Sequence, residues 1–144
     1  LAYLNMGTSF NEPNSKEKYI KMNGRKIYNY ALTHVPKAIK ACLDKSGLHL
    51  NDVSKILIHQ ANEKMDVAIG ERLFSLYGIE HMPQDKMPMN ISKTGNSSVA
   101  TIPTLYDMIM RGELPPYTIS SGDVLVMASV GAGMNINALT YRVP

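Results

Sequence analysis

The stretch KILIHQANEKM, Lys55 to Met65, constrains the fold more than any other in the chain. Its first half sets Ile56, Leu57 and Ile58 side by side, a continuous apolar run that reads as a strand buried on both faces. From Ala61 the apolar period changes to three and four, with Ala61, Met65, Ala68, Ile69, Leu73 and Leu76 on one helix face and Gly78 at its close. A strand that turns this directly into a helix is the unit from which layered α/β sheets are built. The residue at the junction is His59, and in such sheets that position faces the crevice where strand ends converge. On the residue alone two readings stay open: a ligand-facing imidazole, or a histidine tucked under the helix N-terminus with its ring nitrogens satisfied locally.

The remaining chain alternates in the same way. LAYLNMGTSF has the pattern of a strand, and NEPNSKEK, residues 11–18, that of an exposed loop. Ile27, Tyr30, Ala31, Val35, Ala38, Ile39, Cys42 and Leu43 mark an amphipathic helix ending at Gly47, and Pro36 predicts a break near Val35. Asn51 or Asp52 is placed to cap a short turn before the KILI strand. Met87 to Asn90 read as a short edge strand. Val99, Ile102, Leu105, Tyr106, Ile109 and Met110 predict another helix, in which Pro103 implies a local irregularity unless the helix starts late. DVLVMASV reads as a buried strand, and Met134, Ile136, Ala138 and Thr140 alternate with Asn135, Asn137, Leu139 and Tyr141 as a final one. The expected fold class is α/β, a mixed five-stranded sheet covered by helices.

Composition excludes more than it assigns. At 144 residues with 44% hydrophobic content, the chain suits one domain with a real core. The net charge of +3, from 15 basic and 12 acidic residues without any block of one sign, gives no nucleic-acid tail. A single cysteine excludes an internal disulfide framework and a cysteine-rich zinc site, and fits a reducing compartment such as the cytoplasm. No apolar stretch approaches the roughly 18 residues of a membrane span. No metal or cofactor is called for. Cys42 falls on the apolar face of a helix interior, where a reduced cysteine packs as a small hydrophobe. There is no G-x-S-x-G elbow and no acid placed to complete a triad with His59.

Two further motifs pair with His59. Asn96 lies in TGNSS, a turn of small residues opening a helix, and on its own is either an N-cap or a site residue. Gly131-Ala132-Gly133, directly after a buried strand, either turns a hairpin or brings a backbone N–H to a substrate oxygen. Together, HQAN at 59–62, GNSS at 95–98 and GAG at 131–133 resemble the C-terminal half of a β-ketoacyl-acyl carrier protein synthase III, of the thiolase-like superfamily. NGRKIYNYALTHVPKAI and GDVLVMASVGAGMN extend the resemblance over nearly the whole chain. Thiolases proper would carry a histidine where Asn96 stands, and chalcone-synthase-like enzymes follow the histidine with Pro-Gly.

The resemblance implies two similar halves packed in five layers, usually as a homodimer, of which residues 1–144 are the C-terminal domain. It implies acylation of a cysteine by an acyl-CoA primer, then decarboxylation of malonyl-acyl carrier protein and attack of the resulting carbanion on the acyl group. His59 and Asn96 are the implied donors to the developing thioester oxygen, Asn62 lines the pantetheine tunnel, and the backbone at Ala132 forms part of the oxyanion hole. Each such donor is worth on the order of 3 kcal/mol. Cys42 does not match the family nucleophile, so the missing N-terminal half is expected to supply it. There are departures: Val130 stands where the family usually has Phe near the acyl pocket, and Asn29 replaces a basic residue common in the preceding helix. Lys64 stands for the carrier-docking arginine, which keeps charge but loses bidentate geometry. A synthase-III-like acyltransferase of secondary metabolism and a non-catalytic partner subunit of the same fold remain alternatives.

Overall fold

The computed structural model describes residues 4–144, the side chains of Leu4 and Ala132 excepted. Of the N-terminal strand expected from Leu1 onward, residues 1–3 lie outside the described span, and β1 (Leu4–Gly7) is the part observed. It pairs antiparallel with β2 (Tyr19–Met22) across the loop expected at 11–18. The chain then enters α1 (Gly24–Ser46), β3 (Val53–Ile58), α2 (Glu63–Ser75), the single turn α3 (Ile91–Thr94), α4 (Thr101–Met110), β4 (Val124–Gly131) and β5 (Asn135–Arg142). β3 runs parallel to β4, and β4 antiparallel to β5, so the sheet is mixed, in the order β3-β4-β5.

The five strands do not share one sheet. Among the described residues they divide into this three-stranded sheet and the separate β1–β2 ribbon. The ribbon lacks a buried face that would bind it to the rest: Met6, Ile20 and Met22 are all exposed. Helices cover the three-stranded sheet on both sides. Ile56 and Ile58 of β3 and Val126 and Ala128 of β4 pack with Val35, Ile39 and Leu43 of α1 and Ile69 and Leu73 of α2. Leu57 and Leu125, pointing the other way, pack with Leu105 and Ile109 of α4. Val53 departs from simple alternation. It joins Ile56 and Ile58 on the α1 side because the β3–β4 register slips between Val53 and Lys55, inserting a bulge that reverses the phase of the strand.

α1 is a single helix, and the break expected at Pro36 does not occur. Pro36 withdraws one N–H from the ladder, a cost of about 3 kcal/mol in an isolated helix. Here the burial of Ala31, Val35, Pro36, Ile39 and Leu43 as one stripe offsets it, since a kink would lift half of that stripe from the core. Gly47 ends the helix as expected. Its φ of 66° is left-handed, and Gly47 N–H and Leu48 N–H bond to the carbonyls of Asp44 and Leu43. The short turn before β3, Leu50–Asp52, is capped by His49: its Nδ1 accepts from Asn51 N–H at 3.3 Å while Asp52 accepts from His49 N–H at 2.7 Å. Asp52 therefore takes part in the cap without being the cap residue.

Met87 to Asn90 form no strand. The groups a strand would spend on a neighbour are used differently. Pro88 O, Asn90 N–H and Ile91 N–H all bond to the side chain of Gln60. α4 starts late, at Thr101, so Pro103 falls in its first turn, where no intrahelical N–H bond is lost. Among the described residues no helix is long and apolar enough to cross a membrane.

Leu57, fully buried between the sheet and α4, is a direct measure of how much that layer contributes. Leu57→Ala is expected to lower unfolding free energy by about 2–5 kcal/mol in urea titration, with the m-value preserved.

Candidate active site at the end of the parallel strands

β3 ends at Ile58, and His59 extends its pairing by one bond, donating its backbone N–H to Ala128 O at 2.8 Å. This fixes the imidazole beside the last turnward residues of β4. His59, Ser129, Val130, Gly131 and Asn137 line one side of a cleft of about 340 Å³, and Ser98, Val99, Ile102 and Pro103 line the other. Apart from His59 none of these lining residues is ionisable. The cleft suits an uncharged, partly apolar group whose oxygen needs a hydrogen-bond donor.

Asn96 is exposed and sits two residues ahead of the cleft wall at Ser98. It caps no helix: α4 begins at Thr101 without a side-chain cap. Its Oδ1 accepts from Ser98 N–H at 2.8 Å, an Asx turn that engages the oxygen and leaves Nδ2 as the donor end of the side chain. Gly95 carries φ 65° and ψ −165°, a backbone state essentially confined to glycine, and Ser98 has φ 54°. The turn bearing Asn96 is therefore tightly determined by its backbone.

GAG does turn a hairpin. Gly131 closes β4, Ala132–Met134 form a single turn with Gly133 at φ 77°, and Asn135 opens β5. Gly131 and Val130 also line the His59 cleft, so the turn and the cleft share their residues. Nothing of the Ala132 side chain is described, and its backbone lies in the turn.

Asn62 is the N-cap of α2, its Oδ1 accepting from Met65 N–H at 3.2 Å. Lys64 lies one residue into that helix and lines a separate groove of about 730 Å³ between α1 and α2. Asn29 and Thr33 of α1 form its far side, Lys64 and Arg72 supply positive charge, and Glu71 and Glu80 negative. Cys42 is half-buried between α1 and β5, in a shallow recess with Lys45, Ser46, Ile136 and Ala138.

Two buried polar residues, one next to His59 in the chain and one in α2, escape a pattern-based reading. Gln60 is fully buried and bonds three backbone groups of the 88–91 segment. Asp66, one turn into α2, is also fully buried, and neither of its carboxyl oxygens has a hydrogen-bond partner. Burial pushes its pKa up to about 7; the amides of Asn62 and Ala61 pull it down without reaching hydrogen-bond geometry. The signal for Asp66 lies in the helix period. The buried stripe of α2 is Asp66, Ile69, Gly70, Leu73 and Phe74, so an acid occupies a core position, whereas Leu76, expected on that face, is exposed.

Residues 43–143 match the family described as 3-oxoacyl-[acyl-carrier-protein] synthase III C terminal. The β-ketoacyl-[acyl-carrier-protein] synthase III of Oenococcus oeni is 30% identical over 135 residues, covering 94% of this chain and 38% of that protein. The enzyme of the same name from Thermosynechococcus vestitus is 36% identical over 124 residues, 85% of this chain and 34% of that one. The chain thus spans little more than a third of these curated relatives. In three dimensions the synthase III of Thermus thermophilus superposes with a TM-score of 0.74 at 26% identity, over 99% of this chain and 42% of that one. That of Aquifex aeolicus gives 0.70 at 29%, over 98% and 40%. The thiolase-like α/β class expected from the sequence is the fold observed.

The buried acid generates a pH test. A carboxyl whose folded pKa lies above its unfolded value near 4 adds stability that is complete below about pH 4 and is lost as pH rises through about 7. The span corresponds to on the order of 4 kcal/mol. Asp66→Asn, neutral throughout, is expected to unfold at higher urea than the parent at about pH 8, with the difference shrinking towards about pH 5. A gain independent of pH would show that Asp66 is not the titrating group.

Proposed function

Because the chain belongs to the 3-oxoacyl-[acyl-carrier-protein] synthase III C-terminal family, we propose that it is the C-terminal domain of a condensing enzyme whose nucleophilic cysteine lies elsewhere in the complete polypeptide. The reaction is decarboxylative: an acyl-CoA primer acylates that cysteine, and malonyl-acyl carrier protein then supplies the attacking carbon. The observation that carries this reading is the uncharged cleft at the end of β3, with His59 at its edge and the Asn96 turn directly ahead of its opposite wall.

Loss of CO₂ moves the electron pair of the breaking C–C bond onto the thioester, so negative charge grows on the carbonyl oxygen. Donors already aimed at that oxygen stabilise the transition state more than the ground state, because they need no reorganisation when the charge appears. His59 as neutral imidazole and Asn96 through Nδ2 are the two donors. The carbanion then attacks the acyl thioester carbonyl, the C–C bond forms, and the cysteine leaves as thiolate. The oxygen of that second centre is held by backbone N–H at the Gly131–Ala132 turn. Asn62, with its Oδ1 engaged in capping α2, has Nδ2 to offer an amide carbonyl of pantetheine. Val130 on the cleft wall leaves more room for the primer than the Phe usual in the family. The groove beside Lys64 and Arg72 is the docking face for the acidic carrier protein, its charge diluted by Glu71 and Glu80. The same reading makes the complete enzyme a cytoplasmic homodimer that starts fatty-acid chains.

In the complete enzyme His59→Ala and Asn96→Ala are each expected to slow malonyl-thioester decarboxylation roughly a hundredfold while cysteine acylation by acyl-CoA persists. Labelled acyl-CoA should leave no acyl group on the isolated 144-residue chain, and stable acylation of Cys42 would overturn the division of labour. Lys64→Glu is expected to raise KM for malonyl-acyl carrier protein several-fold with malonyl-CoA kinetics unaltered, since a reversed surface charge acts on encounter with the carrier and not on the bond changes. Equal KM values for parent and variant would remove Lys64 from the docking face.

A further inference from the structure

We infer that Gln60 is a positioning residue that sets the Asn96 turn against His59. It follows His59 directly in the chain, is fully buried, and among the described residues its side chain bonds to a segment some thirty residues further on. Its Nε2 donates to Pro88 O at 2.9 Å, and its Oε1 accepts from Asn90 N–H at 2.9 Å and Ile91 N–H at 3.0 Å. A planar amide gripping one backbone through both of its ends fixes position and orientation together, which a single bond would not.

The grip is passed on by short steps. The Asn90 carbonyl accepts from the N–H groups of Lys93 and Thr94, at 2.8 Å and 3.0 Å, and from the Thr94 hydroxyl at 3.2 Å. Gly95 N–H reaches Ile91 O at 2.8 Å, and the next residue, Asn96, accepts from Ser98 N–H ahead of it. From Gln60 to Gly95 the segment is held by bonds to the turn before, and Asn96 follows directly on that fixed end. The other end of the path is equally firm, because His59 is tied to β4 through Ala128 O. Gln60 is thus the brace between the two donor-bearing segments. The inference rests on His59 and Asn96 being the donor pair, and it predicts an effect on rate without contact between Gln60 and substrate.

The test compares Gln60→Met, Gln60→Glu, Asn96→Ala and the double variant Gln60→Met/Asn96→Ala in the complete enzyme, with malonyl-CoA as probe. Decarboxylation kcat and KM are read together with Tm. Gln60→Met is expected to lower kcat by about tenfold or more at near-parental KM, as a misplaced donor does. Adding Asn96→Ala to it should cost little beyond the loss from Asn96→Ala alone, because both remove the same donor. Gln60→Glu retains both amide bonds from Asn90 and Ile91 but, when ionised, has no proton for Pro88 O. Its kcat should fall as pH rises through the titration of this buried acid and recover on acidification, an inflection additional to those of the parent. Should Gln60→Met not fold, the pH profile of Gln60→Glu decides the question.

A folded Gln60→Met with parental kcat, a multiplicative double variant, or a Gln60→Glu profile that matches the parent would each overturn the role of Gln60. Failure of the underlying reading has a different mark: Asn96→Ala itself would then decarboxylate at the parental rate.

Discussion

The parallel pairing of β3 with β4 is the constraint from which the rest follows. Five main-chain partnerships, Val53 with Val124 and, past the bulge, Lys55 with Leu125 through Ile58 with Ala128, bring two strands from distant parts of the chain to a common end. Parallel strands require a crossover, and here it contains both α2 and α4, which therefore land on opposite faces of the sheet. With both faces covered, β3 has to be apolar on each, which is why KILI lacks the alternation of a surface strand. The pairing also brings His59 alongside Ser129 and Val130, so the cleft is a consequence of strand register before it is a matter of side chains.

Polar groups buried behind that cleft separate into two kinds. Gln60 has its bonding capacity matched to backbone groups that would otherwise be orphaned in an irregular, buried segment. Asp66 has no partner, and burial holds its proton. A satisfied amide stiffens its surroundings, while an unpartnered acid leaves them dependent on pH. Gln60 follows His59 directly and Asp66 lies in the first turns of the helix beyond it, and neither lines the cleft.

Much of the architecture was legible because the apolar period is a local record of burial. The strand-to-helix switch at His59, the Gly47 stop and the alternation of β5 all follow from spacing and from the chemistry of Gly, while at Pro103 the late start of α4 takes the place of the expected irregularity. Where long-range contacts outweigh local preference, spacing misleads. Pro36 stays inside α1 because the buried stripe runs through it, and Met87 to Asn90 are denied a strand by a side chain thirty residues away. The ribbon of β1 and β2 has strand composition but no shared core, so counting strands overstated the sheet. Of the site, the place of His59 at a cleft could be anticipated from its position at the strand end, and that of Val130 from the family resemblance. The brace by Gln60 could not, since hydrogen-bond geometry leaves no periodic trace.

The bulge between Val53 and Lys55 separates the two ends of β3 in a way that bears on how such a chain varies over time. In an uninterrupted strand, adding or removing one residue turns every later side chain to the opposite face. Here the phase is already reset near the start, next to the exposed turn at Asn51 and Asp52. Changes in length are best absorbed at that point, upstream of the reset, where they alter only the entry into the sheet. The far end, with Ile56, Leu57, Ile58 and His59, keeps its orientation whatever happens before it. A residue added to or removed from the helix-to-strand connection is therefore taken up before the phase is set, leaving the facing of Ile56 to His59 unchanged.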